Sequence, residues 1–158
     1  MIRKAKVSDV QKMQKLINYY AELKEMLPRS LNELYEEIQD FFVYESHTGK
    51  AGQDKKKILG CCELHIIWED LAEIRSLAVD PEYLNRGIGK QLVQQALNQA
   101  KNLAVKKVFV LTFKPAYFKQ FRFREIPRNK LPHKIWSQCI RCTLFPDCKE
   151  IALITSIK

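Results

Sequence analysis

The stretch from Glu73 to Lys90 constrains the fold of this chain more than any other. It reads Glu-Ile-Arg-Ser-Leu-Ala-Val-Asp-Pro-Glu-Tyr-Leu-Asn-Arg-Gly-Ile-Gly-Lys, which predicts a strand, a turn and a loop that begins a long helix. Two of the chain's five glycines, Gly87 and Gly89, lie in this loop. Glycine lets the backbone approach a ligand closely, and the first N–H groups of a helix attract anions. With Arg86 and Lys90 beside them, these groups predict a site for a phosphorylated ligand.

Length and composition indicate a single soluble domain over residues 1–158. The chain has 158 residues, 46% of them apolar, which suffices for a hydrophobic core. No apolar run approaches the ~20 residues that span a bilayer, and Met1–Lys6 does not lead into the apolar stretch of a secretion signal. We therefore expect a cytoplasmic protein without membrane contacts, whose five cysteines are reduced thiols or metal ligands.

Positive charge is concentrated in the last third of the chain. Residues 1–100 contain 14 lysines and arginines against 15 acidic residues, whereas residues 101–158 contain 13 against 3. This asymmetry predicts an acidic partner, either nucleic acid or a polyphosphate cofactor together with a dicarboxylate substrate. No predicted helix carries a row of basic residues on one face, which argues against nucleic acid.

The apolar periodicity predicts the element order β-α-α-β-β-β-α-β-α-β. Capping patterns at Ser8 with Gln11 and at Ser30 with Glu33 begin the first two helices. The segment 122–149 shows no period, so we expect it to be irregular. A mixed order of this kind implies an α+β fold with helices on both faces of a sheet.

A family resemblance lies in two motifs, Ser-Leu-Ala-Val-Asp-Pro at 76–81 and Asn-Arg-Gly-Ile-Gly-Lys at 85–90. Together with the order of elements, they resemble the GNAT superfamily of acetyl-CoA-dependent N-acetyltransferases. The family's loop pattern is Gln/Arg-x-x-Gly-x-Gly/Ala; both glycines match, and Leu84 replaces the first polar residue. The resemblance implies acetyl-CoA as acetyl donor and a mixed, mostly antiparallel, twisted sheet of about six to seven strands.

Three segments are similar to the N-acetylglutamate synthase acetyltransferase domain, namely 2–5, 27–30 and 72–79. This similarity implies acetylation of L-glutamate by direct attack with a general base, for arginine biosynthesis, in a short form without an amino-acid-kinase domain. Another amino acid, a peptide or a protein amine stays open as acceptor. A polyamine is disfavoured because residues 101–158 contain only three acidic residues. A homodimer is also left open.

The resemblance assigns Glu73 as the base that removes a proton from the acceptor amine, with Glu63 on the neighbouring strand as second candidate. The family's usual tyrosine acid is replaced here by Phe118. Thr112, at the end of the fifth strand, is the candidate to donate a hydrogen bond to the leaving sulfur, and Tyr117 is its rival.

The resemblance also implies the residues that bind acetyl-CoA. Main-chain groups of 77–79 would bind the pantetheine arm as an added strand, and the glycine loop would hold the pyrophosphate. Lys114 or Lys119 would meet the 3′-phosphate. The predicted cofactor contacts are therefore Leu77, Ala78, Val79, Arg86, Gly87, Ile88, Gly89 and Lys90.

A dicarboxylate acceptor calls for arginine, which binds carboxylates through paired N–H groups. By resemblance the candidates are Arg3, Arg29 and the backbone amide of Ser76. Basic residues of the irregular segment could supply a second clamp, among which the sequence leaves three candidates open: Arg128, Lys134 and Arg141.

The irregular segment also contains four residue types that bind zinc. His133, Cys139, Cys142 and Cys148 lie within sixteen residues, and thiolate with imidazole suits tetrahedral zinc. A second Cys-x-x-Cys pair is absent, however, and free cysteines commonly pack as small apolar groups. We therefore predict no metal site, with zinc as the alternative, and we interpret Cys61 and Cys62 as structural.

Overall fold

The computed structural model describes residues 1–48, 55–132, 135, 139 and 147–158. Four α-helices and seven β-strands are formed within these residues. The helices are α1 (Val10–Glu22), α2 (Leu31–Glu36), α3 (Ile88–Asn102) and α4 (Pro115–Lys119). The strands are β1 (Ile2–Lys4), β2 (Phe41–Thr48), β3 (Lys55–Trp68), β4 (Leu71–Val79), β5 (Lys107–Thr112), β6 (Arg124–Ile126) and β7 (Ile151–Ser156).

The strands form one sheet in the order β1-β2-β3-β4-β5-β7-β6. Every neighbouring pair is antiparallel except β4 and β5. The predicted mixed, mostly antiparallel sheet is therefore confirmed. The prediction that 122–149 is irregular is wrong for Arg124–Ile126, which pairs with β7 as an edge strand. A segment of three residues is too short to show an apolar period, so its pairing with a distant strand decides its conformation.

Helices cover both faces of the sheet, as predicted. Cys61 packs with the α1 residues Val10 and Met13, whereas its neighbour Cys62 packs with Leu92 of α3. Alternate residues of a strand face opposite ways, so α1 and α3 lie on opposite faces. Both cysteines are fully buried, which fits the structural role predicted for them.

One predicted helix cap is observed and the other is not. The Ser30 hydroxyl accepts the Glu33 N–H at 3.2 Å, and the Glu33 carboxylate accepts the Ser30 N–H at 2.8 Å. At the first helix, by contrast, the Asp9 carboxylate accepts the Lys6 N–H at 2.8 Å. A short 3-10 turn over Val7–Asp9 therefore precedes α1, in place of the box predicted at Ser8. No helix among the described residues is long and apolar enough to cross a membrane.

The sheet opens between β4 and β5, and this opening positions the site. The two strands pair from Leu71 with Lys107 to Ile74 with Val110, yet β4 continues to Val79. Ser76 has a φ of +52° and lies in a bulge between the β3 register pairs that contain Arg75 and Ala78. Because a bulge bends its strand and increases the local twist, the second half of β4 separates from β5.

Candidate active site

The separated ends of β4 and β5 form the walls of a large cleft. Its volume is about 1410 Å³. The start of α3 and the α4 region lie along one part of the cleft, and the loop between α1 and α2 lies along another. Of the residues predicted for the site, the lining contains Arg29, Glu73, Ser76, Leu77, Ala78, Val79, Gly87, Ile88, Gly89, Lys90 and Thr112.

The beginning of α3 presents backbone to the cleft. Gly87 precedes the helix with a φ of +78°, a left-handed conformation that glycine adopts without strain. A Cβ added at Gly89 would lie 2.6 Å from the Tyr117 hydroxyl oxygen, so this hydroxyl occupies the space that a side chain at position 89 would fill. Because residues 87 and 89 have no side chains of their own, the first N–H groups of the helix are not covered by them, which suits a phosphate.

The open edge of β4 offers main-chain groups next to this helix start. The Asp80 N–H donates to the Leu59 carbonyl of β3 at 2.8 Å, so Asp80 and, two residues before it, Ala78 direct their main-chain groups toward β3. Leu77 and Val79 consequently direct theirs toward the cleft. The Tyr20 hydroxyl donates to the Val79 carbonyl, which leaves the Val79 N–H and both groups of Leu77 as contacts for a ligand.

Basic residues near the helix start differ in their positions. The exposed Arg86 lies over the Tyr83 ring, 4.9 Å from its centroid. Lys114 lines the cleft and pairs with Glu25 at 2.7 Å. Lys119 pairs with Glu125 at 2.8 Å and is not among the lining residues, so Lys114 is better placed to meet a ligand.

Glu73 lies at the other end of the cleft and is 5% exposed. Burial raises its pKa to about 8, and the nearby Glu63 and Glu150 carboxylates act in the same direction, against the lowering effect of Arg75. Within the part of the chain that the structure describes, Glu73 Oε2 has no hydrogen-bond partner. A buried carboxylate with an unpartnered oxygen and a pKa near neutrality is suited to accept a proton.

Arginine and glutamate side chains surround Glu73. Arg29 Nη1 donates to Glu63 Oε2 at 2.8 Å and to Ser76 Oγ at 3.0 Å, and Arg29 Nη2 donates to Glu37. Arg75 Nη2 donates to the second oxygen of Glu63 at 3.2 Å. The Glu63 carboxylate therefore holds two guanidinium groups side by side. We refer to Arg29, Glu37, Glu63 and Arg75 as the arginine–glutamate network.

Two candidates predicted for the acceptor end, and Arg86 and Lys119 predicted for the cofactor, are not among the lining residues of the cleft. Arg3 lies on β1, where its guanidinium donates to Asp9 at 2.7 Å and to Glu45 at 2.7 Å. Glu63 is fully buried beneath the arginines and does not line the cleft. Arg3 thus joins the edge strand to the start of α1, and Glu63 supports the network.

Two hydroxyl-bearing residues predicted for the sulfur, Thr112 and Tyr117, line the cleft. Thr112 Oγ1 accepts the Lys114 N–H at 3.0 Å. Burial raises the pKa of Tyr117 to about 12, so this phenol stays protonated at neutral pH. Phe118 is buried against the Phe123 ring at 5.6 Å between centroids and has no proton to donate.

Part of the cleft lining comes from the segment before β7. Arg128 donates to the Cys148 carbonyl at 3.5 Å and to Cys139 Sγ at 3.6 Å. All three residues line the cleft, as does Glu150. His133, Lys134, Arg141 and Cys142 lie outside the described residues, so the absence of a metal site stays a prediction, with zinc as the alternative.

Sequence reasoning missed Arg75, Glu37 and Tyr20. Arg75 follows Glu73 by two residues on a strand, and this spacing places both side chains on one face. That spacing was a usable indication of a shared site. Nothing local indicates Glu37 or Tyr20, because Tyr20 of α1 meets Val79 and Glu37, after α2, meets Arg75, both on the distant strand β4.

Comparison with known proteins identifies the family of this chain. Residues 12–122 match the Acetyltransferase (GNAT) family. The chain belongs to that family. It is 36% identical over 156 residues to an uncharacterized N-acetyltransferase of Chlorobaculum tepidum, covering 99% of this chain and 96% of the relative. It is 38% identical over 141 residues to an amino-acid acetyltransferase of Mycobacterium tuberculosis, covering 89% of this chain and 78% of the relative.

A solved structure agrees with this assignment. A Mycobacterium tuberculosis protein in complex with CoA and NLQ superposes with a TM-score of 0.83 at 31% identity, covering 100% of this chain and 99% of the other. Part of Neisseria gonorrhoeae N-acetylglutamate synthase shares the fold, with a TM-score of 0.86 at 22% identity over 100% of this chain and 35% of the other. This GNAT protein is an acetyl-CoA-dependent N-acetyltransferase.

The cleft of this acetyltransferase fits the acetyl donor. Gly89, the α3 N-terminus and the main-chain groups of Leu77 and Val79 form a continuous surface of backbone donors and acceptors. A phosphorylated, extended molecule matches such a surface, because a phosphate suits the helix start and an amide-containing arm suits a free strand edge.

Proposed function

We propose that this acetyltransferase acetylates the α-amino group of an amino acid, with L-glutamate as the leading acceptor, and so makes N-acetylglutamate for arginine biosynthesis. The observation that carries the proposal is the buried Glu73 carboxylate beside the arginine–glutamate network. A carboxylate can bind the ammonium group of the acceptor, and guanidinium groups can bind the carboxylates of the acceptor. The 38% identity to an amino-acid acetyltransferase supports an amino acid as the acceptor.

Acetyl-CoA would be held mainly by backbone. The start of α3, over Gly87–Lys90, would hold the pyrophosphate, with Arg86 beside it. The Val79 N–H and the main chain of Leu77 would pair with the pantetheine arm, whereas Ala78 faces β3 and shapes the wall. When bound, acetyl-CoA supplies a thioester whose carbonyl carbon is open to attack by an amine.

Glu73 would act as the general base. Its Oε2 would accept a proton from the acceptor ammonium, because only the neutral amine is a nucleophile. The pKa of about 8 brings this carboxylate closer in basicity to an amine than an exposed glutamate is. The ionised fraction of Glu73, and with it the rate, should therefore increase as the pH rises toward 8.

Thr112 would donate a hydrogen bond to the leaving sulfur. Its oxygen already accepts the Lys114 N–H, and its own O–H hydrogen is left for donation. The rival, Tyr117, has its hydroxyl next to Gly89, at the part of the cleft assigned to the pyrophosphate. This placement favours Thr112 for the sulfur.

The side-chain carboxylate of the acceptor would lie between two arginines. Arg29, held with Ser76 and Glu63, lines the cleft, and so does Arg128. A dicarboxylate would then be favoured over a monocarboxylate by charge as well as by hydrogen bonding.

The test is thiol release from acetyl-CoA with a panel of amino acids, a peptide and a polyamine. We expect L-glutamate to give the highest kcat/KM, and Arg128→Gln to narrow the preference for L-glutamate over L-glutamine by about tenfold. Release with another amine but not with L-glutamate would contradict the acceptor. Release with none of the amines would contradict the proposed function.

A further inference from the structure

Two buried polar atoms at the acceptor end lack a hydrogen-bond partner. Among the residues that the structure describes, Glu73 Oε2 and Arg75 Nε are the only buried side-chain atoms in this condition. They lie 3.7 Å apart, close enough for an ion pair but too far for a hydrogen bond with each other. Both residues line the cleft.

Their positions are fixed by the fold. Glu73 and Arg75 are two residues apart on β4 and therefore share a face. The other end of the Arg75 guanidinium is bonded to Glu63 at 3.2 Å, and Glu63 is in turn bonded to Arg29 at 2.8 Å. Arg75 is thus held away from Glu73, with its Nε–H still unpaired.

Unpaired buried polar atoms in a native protein call for an explanation, and a ligand group is one. Here one atom accepts hydrogen bonds and the other donates them. A molecule that satisfies both must offer a donor and an acceptor separated by about 3 Å, roughly the distance from the nitrogen to a carboxylate oxygen in an α-amino acid.

We propose that Glu73 and Arg75 together bind the α-ammonium and α-carboxylate of a free α-amino acid. Glu73 Oε2 accepts from the ammonium, and Arg75 Nε donates to the carboxylate. This inference rests on the proposed function and deepens it, because it restricts the acceptor to amines that carry an adjacent carboxylate. Arg75 is a substrate-binding residue, and it presents the amine to the base.

The pair therefore distinguishes free amino acids from other amines. A peptide N-terminus has an amide in place of the α-carboxylate, and a simple alkyl amine has no such group. A site built around a charged hydrogen bond rejects analogues that lack it, because its own buried group is then left unpaired. The decarboxylated analogue of L-glutamate, 4-aminobutyrate, tests this directly, since it keeps the amine and the side-chain carboxylate.

The experiment measures binding of L-glutamate and of 4-aminobutyrate to the full chain saturated with CoA, by calorimetry, so that no acetyl transfer is needed. We expect the wild-type protein to bind L-glutamate at least about 100-fold more tightly. Arg75→Gln should reduce that ratio to near one by weakening L-glutamate alone. Arg75→Lys keeps the charge but lacks the guanidinium Nε–H, so it should also bind L-glutamate more weakly and leave 4-aminobutyrate binding unchanged. Exposed Arg124→Gln is the control and should bind both amines as the wild type does.

Equal binding of the two amines by the wild-type protein would overturn the inference. So would an equal loss for both amines in Arg75→Gln and Arg75→Lys, which would indicate a structural role. If Arg75→Gln does not fold, Arg75→Lys decides, because the inference requires it to lose L-glutamate selectively. Selective binding without any thiol release would contradict the proposed function and leave this inference standing.

Discussion

The two ends of the cleft are built in different ways. The end assigned to acetyl-CoA is made of backbone from two short stretches, 77–79 and 86–90, joined by one turn of the chain. The acceptor end is made of side chains from distant parts of the sequence, with Arg29 bonded to Glu63 and Ser76, which lie 34 and 47 residues further along the chain. The first end depends on local conformation, and the second depends on the assembled fold.

This difference predicts how each end responds to substitution. At the backbone end most side-chain changes should be tolerated, and only an added Cβ should interfere with the ligand. At the acceptor end the charges compensate one another around the fully buried Glu63, where removal of one partner leaves a buried charge unpaired. The largest effects are therefore expected at the acceptor end.

Replacement of the proposed base should have the largest effect. In Glu73→Gln we expect kcat to fall by about 10² to 10⁴, the usual contribution of general base catalysis, with little change in KM for acetyl-CoA. Wild-type kcat/KM should rise between pH 6 and 8 as Glu73 ionises, and the variant should lose that rise. Steady-state thiol release across this pH range checks both. Exposed Glu125→Gln is the matched control.

Glu73→Gln should also be more stable than the wild-type protein at high pH. The folded-state pKa of about 8 lies above the ordinary value of 4.5, so the stability that protonated Glu73 contributes is complete below pH 4.5 and is lost as the pH rises through 8. Urea unfolding should show Glu73→Gln increasingly more stable than the wild type from pH 6 to 9. Full activity of Glu73→Gln at neutral pH would remove Glu73 from the mechanism.

Removal of one arginine should have the next largest effect. Arg29→Gln takes a guanidinium from the fully buried Glu63 and from Glu37. We expect a loss of about 3–5 kcal/mol in unfolding free energy, the range found when a buried ion pair is broken. Urea unfolding measures it. The double variant Arg29→Gln/Glu63→Gln should recover part of the loss, because no buried carboxylate then lacks its partner. No recovery would mean that packing, rather than charge, stabilises this end.

The difference between local conformation and contacts of distant segments also explains what could be predicted from the sequence. The glycine loop, the long helix and the mixed sheet were predictable because each depends on residues close together in the chain. The Ser30 capping box was predictable for the same reason. The pairing of Arg124–Ile126 with β7 was not, since three residues carry no period and the partner strand is distant.

The acceptor end was predictable only in part. Glu73, Arg29 and Ser76 were predicted by resemblance, and all three line the cleft. Arg3 was assigned the same role, but its side chain is bonded to Asp9 and Glu45 away from the cleft. Sequence resemblance identifies an arginine and not the carboxylate that it will meet, because ion pairs between distant segments form only in the folded chain.

A substitution at the backbone end should have a smaller effect, which we expect in the binding of acetyl-CoA. An added Cβ in Gly89→Ala would lie 2.6 Å from the Tyr117 hydroxyl but 3.6 Å from the ring carbon that bears it. We expect KM for acetyl-CoA to rise about tenfold, the equivalent of one lost hydrogen bond to a charged group, with kcat preserved. Thermal unfolding and steady-state kinetics are the measurements.

The Tyr117→Phe change separates two causes of that effect. In the double variant Gly89→Ala/Tyr117→Phe the clash with the hydroxyl is gone, so the melting temperature should return to that of Tyr117→Phe alone. KM for acetyl-CoA should remain raised, because the methyl group still keeps the phosphate from the helix start. A KM that recovers fully would show that Tyr117, and not the backbone, governs cofactor binding.

The smallest effect is expected at the exposed pair between Lys114 and Glu25. The two side chains are 63% and 36% exposed, and exposed ion pairs contribute about 1 kcal/mol or less. Lys114→Gln should therefore leave the melting temperature nearly unchanged. If Lys114 also meets the 3′-phosphate, KM for acetyl-CoA should rise about threefold at low salt, whereas KM for acetyl-dephospho-CoA should not change. Lys119→Gln is the matched control, since Lys119 lies outside the lining. If Lys114→Gln changes KM for acetyl-CoA and KM for acetyl-dephospho-CoA equally, Lys114 does not bind the 3′-phosphate. The cofactor would then be held by backbone contacts alone.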